Sequence, residues 1–185
     1  MNGGFVLRVL TPADPVDWPL WRDARLAAFA EAPDAFRVRL ADWPAGGEEQ
    51  WRARFARADA LHVVAVAADG RPVGLAGGLP GRGGVSELRS VWVGPSARGH
   101  GVGDGLLAAV EAWARRRGSS ALRLAVLLDN AAAVALYRRH GFVDTGTDRA
   151  DGEDGADRAN GADRANGTGA ANGAAERVMV KRLTA

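Results

Sequence analysis

The stretch Val91-Trp-Val-Gly-Pro-Ser-Ala-Arg98-Gly-His-Gly101-Val-Gly103-Asp-Gly105-Leu-Leu107 compresses a strand, a glycine-rich turn and a helix start into one short span. Ser90 to Val93 are strand-like, Pro95 and Ser96 break the ladder, and Leu106, Leu107, Val110 and Trp113 recur at helical spacing. The glycines therefore fall at a helix N-terminus, where the first backbone N–H groups lack intrahelical partners and carry the positive end of the dipole. With no Cβ in the way, an anion such as a phosphate can approach those groups. Arg98, at the mouth of the turn, adds a fixed charge and a planar fork of donors suited to a pair of phosphate oxygens.

Two common phosphate loops fail on spacing. A dinucleotide fingerprint needs Gly-x-Gly-x-x-Gly, but counted from Gly99 the last position is Asp104, and from Gly101 it is Leu106. The Walker loop needs a Gly-Lys pair, and the only lysine is Lys181.

What remains is Arg98-x-x-Gly101-x-Gly103, preceded by Val91-x-Val93 and followed, after another strand, by Asn130-x-x-Ala133-x-x-x-Tyr137-x-x-x-Gly141-Phe142. This order of elements resembles the GCN5-related N-acetyltransferase (GNAT) family, closely over Gly84 to Phe142 and more loosely over the rest of the chain. The resemblance implies acetyl-CoA as co-substrate and transfer of its acetyl group to a primary amine of a small molecule or protein. A non-catalytic acyl-CoA-binding sensor is the alternative that the same pocket allows.

At 185 residues, 47% of them hydrophobic, the chain is expected to form one domain with a substantial core. It has no apolar run of bilayer length and reads as cytoplasmic, with no membrane partner. Absence of cysteine removes disulfides, thiolate metal sites and a cysteine acyl-enzyme, so transfer is expected to be direct. His62, His100 and His140 show no paired metal-ligand spacing, and no metal is assigned. The pI of about 9.9 accompanies a net charge of only +2, with arginines spread along the chain. The one dense run, Arg115 to Arg117, closes a helix where cations offset the dipole before Gly118, so nucleic acid is not an expected partner.

The remaining pattern predicts a mixed α/β (α+β) fold in the order β-α-α-β-β-β-α-β-α-β-β. Strands are expected at Phe5 to Leu10, Leu61 to Ala67, Pro72 to Leu79, Val85 to Val93, Ala121 to Leu127, from Phe142, and at Glu176 to Leu183. Helices are expected at Trp18 to Ala30, Glu48 to Ala58, up to Arg117, and Ala131 to His140. Asp69-Gly70 marks a hairpin. The resemblance implies a central, mostly antiparallel twisted sheet flanked by helices. Residues 147–175 depart from this order. They contain Ala156-Asp-Arg-Ala-Asn-Gly161 repeated at once as Ala162 to Gly167, with almost no large apolar residue, and read as a disordered insertion before the last strand. The insertion leaves open whether that strand pairs within the chain or with a neighbouring copy, so a homodimer is an open expectation.

Arg98, Gly99, His100, Gly101, Val102 and Gly103 are the expected holders of the coenzyme pyrophosphate, each charge-assisted hydrogen bond being worth about 1.5 to 3 kcal/mol. The resemblance implies that the strand Val91, Trp92, Val93 offers backbone groups to the pantetheine arm and the thioester carbonyl. Asn130 caps the next helix or bonds the pantetheine arm. Tyr137, two helical turns beyond Asn130, can face the same groove, and the resemblance makes it the proton donor to the leaving thiolate; a buried core hydroxyl is the alternative.

A lysine-like acceptor with a pKa of about 10.4 costs roughly 4 to 5 kcal/mol to supply as free base at neutral pH. Glu87 is the candidate base, because period two puts Glu87, Arg89, Val91 and Val93 on one strand face; a pair with an arginine is the alternative. Trp18, Trp21, Glu31, Phe36, Trp43 and Trp51 are expected to supply the acceptor side.

Overall fold

The computed structural model describes residues 4–32, 47–148 and 176–183. Its elements run β1 (Phe5–Leu10), α1 (Asp17–Glu31), α2 (Gly47–Phe55), β2 (Leu61–Ala67), β3 (Pro72–Pro80), β4 (Val85–Val93), α3 (Val102–Arg116), β5 (Ala121–Leu127), α4 (Ala131–Arg139), β6 (Val143–Asp148) and β7 (Glu176–Arg182). This is the expected order, with α2 ending three residues early at Phe55. The segment read as a disordered insertion lies, from 149 onward, outside the described residues, as do Phe36 and Trp43.

The seven strands form one sheet in the order β1-β2-β3-β4-β5-β7-β6. All neighbours are antiparallel except β4 and β5, which run parallel and pair only from Val85↔Ala121 to Glu87↔Arg123. A parallel pair needs a crossover, and α3 supplies it. Beyond Glu87 the two strands part, while β5 stays paired along its whole length with β7 on its other edge. The parting leaves the Val91 to Val93 end of β4 and the Leu127 end of β5 as two walls of an opening. β7 lies between β5 and β6 of its own chain.

Both sheet faces are covered. On one, Val102, Leu106, Val110 and Ala114 of α3 repeat every four residues and bury against Val63, Ala65 and Leu122. On the other, Trp18, Trp21, Ala24, Ala28 and Phe29 of α1 join Trp51 and Phe55 of α2 over Val64, Leu75 and Trp92. The alternation of Val63, Val64 and Ala65 between the two cores is the period of two expected of a strand buried on both faces. The N-terminal tryptophans Trp18, Trp21 and Trp51 are thus core residues. No described helix is long and apolar enough to cross a membrane.

One expectation about β4 fails. Ser90 has φ of +54°, and the β3–β4 register shifts between Leu75 and Gly77, so Ser90 and Val91 together oppose Ala76. Such a bulge reverses the phase of the strand. Leu88 before it and Val91 and Val93 after it face α3, whereas Trp92 joins the α1 core. Glu87 and Arg89 therefore do not share a face with Val91 and Val93.

Candidate active site

The opening between β4 and β5 is a cleft of about 540 Å³. Its lining draws Val91, Trp92 and Val93 from β4, Arg98, Gly99, Gly101, Val102 and Gly103 from the turn, Val126 and Leu127 from β5, and Asn130 and Tyr137 from the α4 region. Nearly every binding residue expected from the sequence converges here. His100 is the exception: it is exposed, outside the lining, with Nδ1 2.8 Å from the Arg98 carbonyl oxygen.

The turn is built by backbone conformation. Pro95–Ala97 forms a short 3-10 turn after β4. Gly99 and Gly101 then adopt φ of +76° and +79°, a left-handed region that costs other residues about 1 to 2 kcal/mol. Gly101 precedes the first helical residue of α3, and its carbonyl accepts the first helical bond, from Gly105 N at 3.0 Å. Among the described residues no side chain caps this helix, so the N–H groups of its first turn are open to a ligand or water. Gly103 has a different task. A Cβ there would sit 3.0 Å from Leu136 Cδ2, so glycine lets α3 and α4 approach at the floor of the cleft.

Asn130 caps α4, its Oδ1 accepting from Ala133 N at 3.1 Å, and it lines the cleft as well. Tyr137 is 2% exposed, lines the cleft, and packs edge-on to Phe142 with ring centroids 5.9 Å apart. Burial pushes its phenol pKa upward, so the hydroxyl keeps its proton at any working pH.

Glu87 is not brought to the cleft. It lies where β4 and β5 are still paired, and its carboxylate accepts from Arg89 Nε at 2.8 Å with Arg123 Nη1 at 3.6 Å. The bulge at Ser90 is the physical reason, since it separates Glu87 from the strand end that borders the opening.

The acids that do line the cleft are Glu31 and Asp104. Glu31, last residue of α1, accepts from Arg98 Nη2 at 2.8 Å and from the Trp92 indole at 3.0 Å. Arg98 also donates through Nε to the Val93 carbonyl at 3.1 Å. Asp104, in the first turn of α3, has Oδ1 2.9 Å from His140 Nε2 and 3.1 Å from Arg139 Nη2. The bond with His140 is the main cause that holds its carboxyl below the usual range, Arg139 adding to it. Sequence spacing reaches Glu31 only as part of the acceptor side, and it misses the Asp104, Arg139 and His140 cluster, which joins two helices 35 residues apart. Among the described residues no three metal-ligating side chains cluster.

Solved structures with the same architecture include a GCN5-related N-acetyltransferase from Kribbella flavida, 29% identical with a TM-score of 0.65, covering 97% of this chain and 98% of that one. A ribosomal-protein-alanine N-acetyltransferase from Brucella melitensis is 29% identical with a TM-score of 0.64, over 96% and 99% of the two chains. Among curated relatives, the mycothiol acetyltransferase of Clavibacter michiganensis subsp. michiganensis is 36% identical over 148 residues, which is 80% of this chain and 45% of the relative. This chain thus spans less than half the length of that relative. The profile of the acetyltransferase (GNAT) family matches residues 19–142, and the chain belongs to that family.

Proposed function

We propose that this chain transfers an acetyl group from acetyl-CoA directly to a primary amine of a small molecule or peptide. The observation that carries the reading is the meeting, in one cleft, of an uncapped helix N-terminus behind a glycine turn, a freed strand edge and a buried tyrosine. The turn amides at Val102, Gly103 and Asp104, with Arg98, suit the coenzyme pyrophosphate. The backbone of Val91 to Val93, unpaired with β5, suits the pantetheine arm and the thioester carbonyl. Bound acetyl-CoA supplies the thioester whose acyl carbon the amine attacks.

As the new C–N bond forms and the C–S bond breaks, Tyr137 gives its phenolic proton to the departing sulfur, and the proton that the attacking nitrogen sheds passes through water to restore the phenol. Burial keeps the phenol protonated, so its proton is available when the thiolate leaves. The chain has no cysteine to carry an acyl intermediate, which supports a direct step. Glu87 is engaged with two arginines away from the cleft, so the reading gives it a structural role. Acetyltransferase relatives with dissimilar acceptors support the donor more than any one acceptor.

Thiol release from acetyl-CoA across a panel of alkylamines, arylamines and peptides tests the proposal. Release above the no-amine rate for at least one amine, with a matching mass gain of acetyl on that amine, is expected. Saturable coenzyme binding without release for any amine would favour the acyl-CoA sensor.

A further inference from the structure

Four charged side chains line the cleft among the described residues, and they are paired: Arg139 with Asp104, and Arg98 with Glu31. Asp104 sits within the glycine turn's own helix and already engages His140 and Arg139. Glu31 differs. It reaches the cleft from α1, on the sheet face opposite α3, and is tethered there by the Trp92 indole. Its cationic partner, Arg98, is 57% exposed and springs from the turn whose free amides suit a pyrophosphate. The guanidinium, which now holds the Glu31 carboxylate and the Val93 carbonyl, therefore has a third prospective partner in a doubly charged phosphate pair beside its own backbone.

A planar fork and a phosphate pair match in geometry and charge better than a single Arg–carboxylate contact exposed to solvent. When the guanidinium turns to phosphate, Glu31 keeps the Trp92 N–H but loses its cation, in a cleft that the coenzyme has partly emptied of water. Such a carboxylate is a site for a new cation.

We propose that Glu31 binds the ammonium group of the acceptor, and that Arg98 occupies Glu31 until the coenzyme pyrophosphate takes the guanidinium. The inference rests on the acetyl-CoA reading and adds to it an acceptor that arrives as a cationic amine, after the donor. By reciprocity, whatever frees Arg98 from Glu31 must also favour the donor.

Coenzyme A titrated calorimetrically into the wild-type chain, Glu31→Gln, Arg98→Ala and the double variant forms a cycle that reads this competition. Glu31→Gln is expected to tighten coenzyme A about 3- to 10-fold, and to change affinity less than about twofold once Arg98 is alanine. Weaker or unchanged binding in Glu31→Gln would overturn the proposal, since a merely structural tie has no reason to oppose the donor. Carbodiimide coupling of ethylenediamine, mapped by mass spectrometry, reads the carboxylate itself. Labelling of Glu31 should rise several-fold when coenzyme A is bound, and be high in Arg98→Ala with or without it. Equal or lower labelling with coenzyme A would contradict the ammonium site. If the wild-type chain binds no coenzyme A, the acetyl-CoA reading itself fails; binding without coupling between Glu31 and Arg98 fails this inference alone.

Discussion

At the scale of single residues, the three glycines of the turn are not interchangeable. Gly101 holds φ of +79° immediately before α3, so Gly101→Ala is expected to distort the turn and weaken acetyl-CoA about 10-fold, read by calorimetry. Tyr137→Phe leaves the buried ring in place and removes only the proton. Turnover should fall about 100-fold or more while coenzyme binding persists, and unchanged turnover would remove Tyr137 from the reaction. These residues were legible in the sequence because each belongs to a local pattern, a turn or one helix face. Glu31 was not legible as a partner of Arg98, because 67 residues separate them and no local periodicity connects positions that far apart.

His62 sets a pH dependence. It lies between the rings of Trp21 and Phe55, and burial, helped by the charge of Arg25, lowers its pKa from 6.5 to about 4. Between those values the unfolded chain binds a proton that the folded chain does not. Stability therefore falls as pH drops through that window, by about 3 kcal/mol in total. Urea midpoints at about pH 7 and about pH 4.5 should differ less in His62→Gln than in the wild type, and an identical difference would assign the acid sensitivity elsewhere.

At the scale of elements, the instructive case is β4. Its alternation is regular in the sequence, and reading it as one unbroken strand put Glu87 beside Val91. A serine, unlike an Asn-Gly pair, gives little warning of a left-handed residue, and the bulge at Ser90 turns the strand over. Buried Arg25 reaches the Ser90 hydroxyl at 3.4 Å and helps hold that conformation from α1. Ser90→Val, β-branched at positive φ, is expected to cost about 2 kcal/mol and weaken coenzyme binding, whereas Ser90→Gly should stay within about 1 kcal/mol of wild type. Equal urea stability of the two variants would show that the bulge is not held in that conformation. Helices and strands elsewhere were legible to within a few residues, since burial on both sheet faces enforces the apolar pattern that sequence reading detects.

At the scale of the whole molecule, the site exists because two neighbouring strands of one sheet part. β4 is bound to β3, β5 to β7, and the two meet over only three residue pairs before the cleft opens. That β7 lies between β5 and β6 could not be read from order along the chain, because strand position is set by pairing partners distant in sequence. The β6–β7 register pairs Asp148 with Glu176, so the two strand ends are neighbours. Replacing residues 149–175 by a short Gly-Ser turn is therefore expected to preserve folding and coenzyme binding, and loss of cooperative unfolding would give that segment a part in the sheet.

Calorimetric titration of acetyl-CoA into the wild-type chain and into Arg98→Ala reads whether the cleft between β4 and β5 holds the donor through the glycine turn. Saturable one-to-one binding that weakens about 10-fold in the variant is expected, in line with one lost charge-assisted hydrogen bond. No binding at millimolar acetyl-CoA, or equal affinity in both proteins, would contradict it.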